Sequence, residues 1–135
     1  MLDPRRHAHA PALVDWLQRN GRALFLSVIT ITELDAGVLK LRREGKPARA
    51  REIAGLVAAI VTDFGDRVLP IDIETARHVA RLGAATHRQP VALPDLMIAA
   101  TAGRHGLIVL TRNLKQIGRL EVPARDPFLE LPPDA

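Results

Sequence analysis

The stretch LPDLMIAATAGRHGLIVLTRN, Leu93 to Asn113, decides the fold. Its first part carries helix punctuation at both ends. Pro94 stands in a first turn, where its missing N–H is not needed, and Gly106 stands just past the end, where a helix commonly closes. The text from Leu96 to Ala100 is wholly apolar, so this helix is expected to be buried. Its second part, LIVLT (107–111), is a short continuous apolar run. Such a run suits a strand covered on both faces, as in a parallel sheet. Three polar residues, Thr111, Arg112 and Asn113, then stand at the strand's carboxyl end.

The same grammar extends outward. ALFLSVI (23–29) is a second buried-strand run, and TITELDAGVLKLRRE (30–44) reads as the helix that follows it. PARAREIAGLVAAIVTDFG (47–65) is another helix, with Ile53, Leu56, Val57 and Ile60 at helical spacing. RVLPI (67–71) is a brief strand ended by Pro70, and ETARHVARLGAATHR (74–88) is a helix. Toward the start, APALVDWLQRNG (10–21) is a short helix closed by Gly21, with Leu13, Trp16 and Leu17 on one face. VPARDPFLEL (122–131) adds a late edge strand, and residues 129–135 are expected to be a flexible tail. Strands alternating with helices predict an α/β sandwich with a mainly parallel sheet. In such sheets ligands lie beyond the carboxyl ends of the strands.

Composition narrows the chemistry. The 135 residues suit one domain, with 47% apolar and 25% charged residues. There is no cysteine, which excludes disulfides and thiolate catalysis. No apolar run is long enough to span a bilayer, and MLDPRRHAHAP at the start has no apolar core of a secretory signal, so a cytoplasmic protein is expected. The net charge of +4 suits either an anionic partner or simply a soluble surface; a small basic cluster lies in KLRREGKPARARE (40–52). With no tyrosine and 3% aromatic residues, a base-stacking platform is not expected.

Few residues are placed to do chemistry. Glu33 follows the first strand run. TITE (30–33) is also a capping box, so Glu33 either closes a helix start or faces a metal. Asp95 sits in the first turn of the buried helix. The helix dipole favours it there, but a carboxylate at a buried helix mouth is costly unless paired or metal-bound. Thr111, Arg112 and Asn113 are either a polar turn or a hydrogen-bonding edge for a phosphate or a metal-bound water. The histidines His7, His9, His78, His87 and His105 have no zinc spacing. Ser27 lacks a nucleophile-elbow context, and no phosphate-binding glycine loop is present.

Taken in order, SVITITELDAGV, RVLPIDIETARHVARL and LPDLMIAATAGRHGLIVLTRN resemble the PIN-domain family, specifically the toxin subunits of VapBC-type toxin–antitoxin pairs. The likeness runs from about residue 10 to about residue 128. It implies a three-layer α/β sandwich and a metal-dependent endoribonuclease in which carboxylates hold Mg²⁺ or Mn²⁺. By that resemblance Glu33 and Asp95 carry over as metal ligands and, with Asn113, as catalytic residues; Thr111 and Arg112 line the substrate side. It also implies an RNA substrate, a VapB-like antitoxin, a homodimer, and no membrane.

Two departures stand against the family pattern. The family's first aspartate belongs to an N-terminal strand, and Asp3 does not align with it. Met1 is therefore expected to be internal, with the first strand missing from the chain. After TRN the family often has an acid where Gln116 stands. The alternative reading is a degenerate PIN domain that binds RNA or a partner without cutting. A flap-nuclease-like DNA enzyme is less well supported, because the chain is small and has no DNA-clamping insertion.

Overall fold

In the computed structural model, which describes residues 12, 13 and 15–134, the elements follow one another as strand and helix. They are α1 (15–20), β1 (Leu26–Ser27), α2 (Val28–Arg43), α3 (Pro47–Phe64), β2 (Val68–Leu69), α4 (Ile73–Ala85), α5 (Leu93–His105), β3 (Val109–Leu110), α6 (Leu114–Ile117) and β4 (Ala124–Arg125). Both strand pairings are parallel: Leu26 opposite Val68 and Ser27 opposite Leu69, then Val109 opposite Ala124 and Leu110 opposite Arg125. This is the expected α/β class, with strands much shorter than the apolar runs. The chain divides into two compact units, one of residues Phe25–Ile71 and one joining the residues up to Leu24 with Asp72 onward.

In the first unit a single hydroxyl decides where β1 stops. Ser27 Oγ accepts from the backbone N–H of Ile29 at 3.1 Å, which caps α2. Val28 and Ile29, expected in the strand, therefore enter the helix. Thr30 is the third helical residue, so the expected capping box at TITE does not form. Helix α2 ends at a left-handed Gly45 (φ 74°), a conformation that costs glycine little. The Gly45 N–H donates to Arg42 O at 3.1 Å and the Lys46 N–H to Leu41 O at 3.0 Å. Pro47 then opens α3. The two helices close over Val38, Ala50 and Val57, with Leu34, Leu41 and Ile53 at the margin. Leu56, expected on the buried face, is 55% exposed.

The second unit is centred on α5. Ala99 and Ala100 are fully buried, and Leu96, Val109, Ile117 and Leu120 pack with them. Small side chains let neighbouring elements come close to the helix. Gly106 (φ 66°) is the left-handed residue past the helix end, and the Leu107 N–H reaches back to Ala102 O at 2.9 Å. Of the face expected on the first helix, Leu13 and Trp16 are buried and Leu17 is partly exposed. Asn20 donates to Trp16 O at 2.9 Å and to Asp134 Oδ1 at 2.8 Å, where Arg19 also binds.

Asp72 caps α4 by accepting from the Thr75 N–H at 2.9 Å. Arg104, near the end of α5, donates to both of its carboxylate oxygens at 2.8 and 3.3 Å, and pairs with Glu74 at 3.2 Å. The hydrogen bond from the Thr75 N–H, and then the Arg104 charge, hold the Asp72 carboxyl below its usual range. Its charge thus stabilises the fold above the ordinary carboxylate range, and that contribution is lost as pH falls through the lowered pKa.

Two stability outcomes follow. Truncating Ile117, which is 1% exposed, to alanine should cost about 2–5 kcal/mol in urea unfolding at neutral pH. Asp72→Asn keeps a capping oxygen but removes the charge. Wild type should therefore be the more stable at pH 7, and urea titrations below about pH 4 should bring the two together.

Candidate active site

The candidate site is built at the carboxyl end of β3. Thr111 continues the ladder, its N–H donating to Arg125 O at 3.0 Å. Its Oγ1 then accepts from the Asn113 backbone N–H at 2.9 Å, so the side chain folds back to fix the turn. Asn113 opens α6, its carbonyl accepting from the Gln116 and Ile117 N–H groups at 3.2 and 3.1 Å. With its backbone held from both sides, Asn113 Nδ2 donates to Asp95 Oδ2 at 3.1 Å.

Asp95 reaches this point from the first turn of α5. Pro94 beside it suits the helix start, and no side chain caps the helix. The positive end of the helix dipole favours a carboxylate there. Asp95 is half-buried, and its second oxygen has no hydrogen-bond partner among the described residues. That oxygen is a hard anionic donor held in place by an amide that takes up its neighbour.

The structure thus brings Thr111, Asn113 and Asp95 together. Arg112 goes elsewhere: its guanidinium lies over the Phe128 ring, 4.3 Å from the centroid. Glu33 lies in the second turn of α2, in the other unit, where it is exposed and forms no hydrogen bond or ion pair with the described residues. Ser27 does the capping that Glu33 was a candidate for, so its carboxylate has no structural duty.

Gln116 is also explained. Its Oε1 accepts from Arg119 Nη1 at 3.1 Å, and Arg119 also donates to Gln89 O. Sequence reasoning missed Arg119, although its spacing of three from Gln116 on a helical segment was the available signal. It likewise assigned Asn113 to a phosphate or water, and not to Asp95. Among the described residues no group of three or more His, Cys, Asp or Glu side chains is placed to hold a metal. Met1, Asp3, His7 and His9 lie outside the described residues.

The chain belongs to the PIN domain family, which matches residues 1–120. It is 35% identical over 107 residues to Toxin FitB of Neisseria gonorrhoeae (strain ATCC 700825 / FA 1090), a match covering 78% of this chain and 76% of FitB. It is 31% identical over 99 residues to Ribonuclease VapC1 of Rickettsia felis (strain ATCC VR-1525 / URRWXCal2), covering 72% and 70% of the two chains. The crystal structure of FitAcB from Neisseria gonorrhoeae matches the fold with a TM-score of 0.68 at 31% identity, over 85% of this chain and 84% of that one.

The Arg112–Phe128 stack should be measurable by itself. Arg112→Ala should lower stability by about 0.5–1 kcal/mol in urea unfolding, the usual worth of an exposed cation–aromatic pair.

Proposed function

We propose that this protein is a metal-dependent endoribonuclease, the toxin of a VapBC-type toxin–antitoxin pair, that hydrolyses RNA phosphodiester bonds. The observation that carries the reading is the Asp95–Asn113 hydrogen bond at the carboxyl end of β3, in a chain of the PIN domain family. PIN nucleases in general depend on a divalent metal. Here that ion would be Mg²⁺ or Mn²⁺, because the donors available are oxygens.

Carboxylate oxygens suit such an ion. Mg²⁺ keeps most of its water shell and binds through one or two carboxylates. Among the described residues, Asp95 offers one unengaged carboxylate oxygen, and Glu33 offers a whole carboxylate with no other partner. Both are proposed as metal ligands, Glu33 by family likeness and by its freedom from capping. Bound there, the metal would supply an activated water and a counter-charge for the phosphorane-like transition state. Asn113 does its share through Asp95: its amide fixes which oxygen is presented and at what angle, the role of an outer-shell partner. Thr111 fixes Asn113 in turn. Arg112, stacked on Phe128, keeps its in-plane N–H groups available to a substrate phosphate.

The proposed partners are the RNA, a VapB-like antitoxin and a second copy of the chain, acting in the cytoplasm. Among the described residues no helix is long and apolar enough to cross a membrane.

The test is cleavage of end-labelled RNA with Mg²⁺ or Mn²⁺. EDTA should abolish it. Asp95→Asn should lower the rate by at least about a hundredfold, beyond the ~10–100-fold that loss of an outer-shell partner such as Asn113→Ala costs. Glu33→Gln should lower it comparably while leaving urea stability within about 0.5 kcal/mol, since the side chain caps nothing. Cleavage that survives EDTA would sink the metal mechanism. RNA binding by wild type with no cleavage under either metal would select the degenerate, non-cutting alternative, for which Gln116, engaged by Arg119, is the supporting observation.

A further inference from the structure

The charge of this chain is not spread evenly. Residues 40–52 hold six basic side chains (Lys40, Arg42, Arg43, Lys46, Arg49 and Arg51) against two acidic ones, Glu44 and Glu52. The remaining thirteen basic and thirteen acidic residues balance, so the whole net charge of +4 resides in this segment. The segment is the end of α2, the turn at Gly45 and the start of α3. All six basic side chains are exposed. Lys46 approaches Glu44 at 4.0 Å and Arg49 pairs with Glu52 at 3.0 Å. Lys40, Arg42, Arg43 and Arg51 form no ion pair with the described residues.

We propose that this helix–turn–helix tip is a docking surface for the phosphate backbone of RNA, a binding surface that does no chemistry. The proposal rests on the ribonuclease reading and names a second place where the substrate is held. Helix stability alone does not account for the charge. Lys40, Arg42 and Arg43 lie in the last turns of α2, where the dipole favours cations. Arg49, however, lies in the first turn of α3, where the dipole opposes it and no acidic residue stands, and Arg51 follows in the second turn. Cations kept against the dipole are explained by an anionic ligand.

The chemistry favours phosphate over a protein partner. Residues 42–49 present no apolar side chain larger than proline, so the tip lacks the buried anchor a protein interface needs. Arginines dominate it, and their planar forks suit phosphate oxygens. The tip is also stiff: two backbone hydrogen bonds close the turn and Ala50 is fully buried beneath it. A closed turn spares the cost of ordering its backbone on binding.

The experiment is fluorescence anisotropy of a labelled single-stranded RNA against full-length protein in EDTA, over a series of salt concentrations. Arg42→Gln/Arg43→Gln/Arg51→Gln is compared with Arg77→Gln/Arg81→Gln/Arg88→Gln, which removes equal charge from exposed positions elsewhere. The tip variant should bind at least about tenfold more weakly at low salt, and its log–log salt slope should be shallower by about 2, at ~0.7 per phosphate contact. The control should keep the wild-type slope, and replacing the same three tip arginines by lysine should largely restore it.

An unchanged slope in the tip variant overturns the proposal, as does an equal loss in the control, which would mean bulk charge only. Intact RNA binding with loss of an acidic protein partner overturns it too, and assigns the tip to protein. Failure of the ribonuclease reading shows separately, as absence of Mg²⁺-dependent cleavage by wild type, because the slope is read without turnover.

Discussion

The burial of α5 is the constraint on which the second unit depends. A helix with Ala99 and Ala100 fully enclosed cannot leave its ends to chance, because buried backbone groups must find partners. At its end, Gly106 turns the chain left-handed, so that Leu107 can reach back to Ala102. Arg104 in the last turn is held by Asp72 and Glu74. At its start there is no capping side chain, and the charge that answers the dipole is Asp95. The carboxylate therefore serves the fold and remains chemically available, because Asn113 engages only one of its oxygens.

Three carboxylates show how the fold allots its acids. Asp72 is fully committed: it caps α4, accepts both bonds of the Arg104 fork, and has its pKa lowered by the cap and the arginine. Asp95 is half committed. Glu33 is uncommitted, because Ser27 took the capping role one turn earlier. A group already satisfied by two cation bonds and a cap has little left to give a metal, and a group with no partner has everything. The order of structural commitment is thus the reverse of the order of availability, and it separates Asp72 from the two residues that matter for the proposed chemistry.

Much of this was legible in the sequence, and the parts that were not have physical reasons. The helix from Leu93 to His105 was readable because proline and glycine act through steric rules that tertiary context seldom overrides. Strand extent was not readable. Val28 and Ile29 have strand propensity, but one serine hydroxyl satisfies an amide and starts the helix ahead of them. TITE has the spacing of a capping box, yet Ser27 three residues earlier competes for the same job, and spacing alone does not rank them. Leu56 shows the same limit: helical periodicity marks a face without saying how wide the covered stripe is. For the site, Asp95 and Asn113 were each visible, but eighteen residues separate them. Their bond follows from where β3 ends against α5, which is tertiary information.

An enzyme that gathers carboxylates to cut a polyanion faces an electrostatic conflict. The groups that would hold the metal repel the substrate until the metal is in place, and in salt that field falls off over about 8–10 Å. One solution is to place cations where they attract phosphate without neutralising the carboxylates. This chain has its entire excess of positive charge in residues 40–52, far in sequence from Asp95 and about two helical turns beyond Glu33 on α2. Among the described residues neither Asp95 nor Glu33 is paired to an arginine, although the chain contains many. Lysines or arginines bound directly to those acids would cancel the charge a divalent ion needs. A turn such as that at Gly45 can carry positive charge at little cost to the core, since its side chains are solvated and its backbone is closed by its own hydrogen bonds. Separating attraction from ligation in this way would leave the acids unpaired while the chain as a whole still draws in a polyanion.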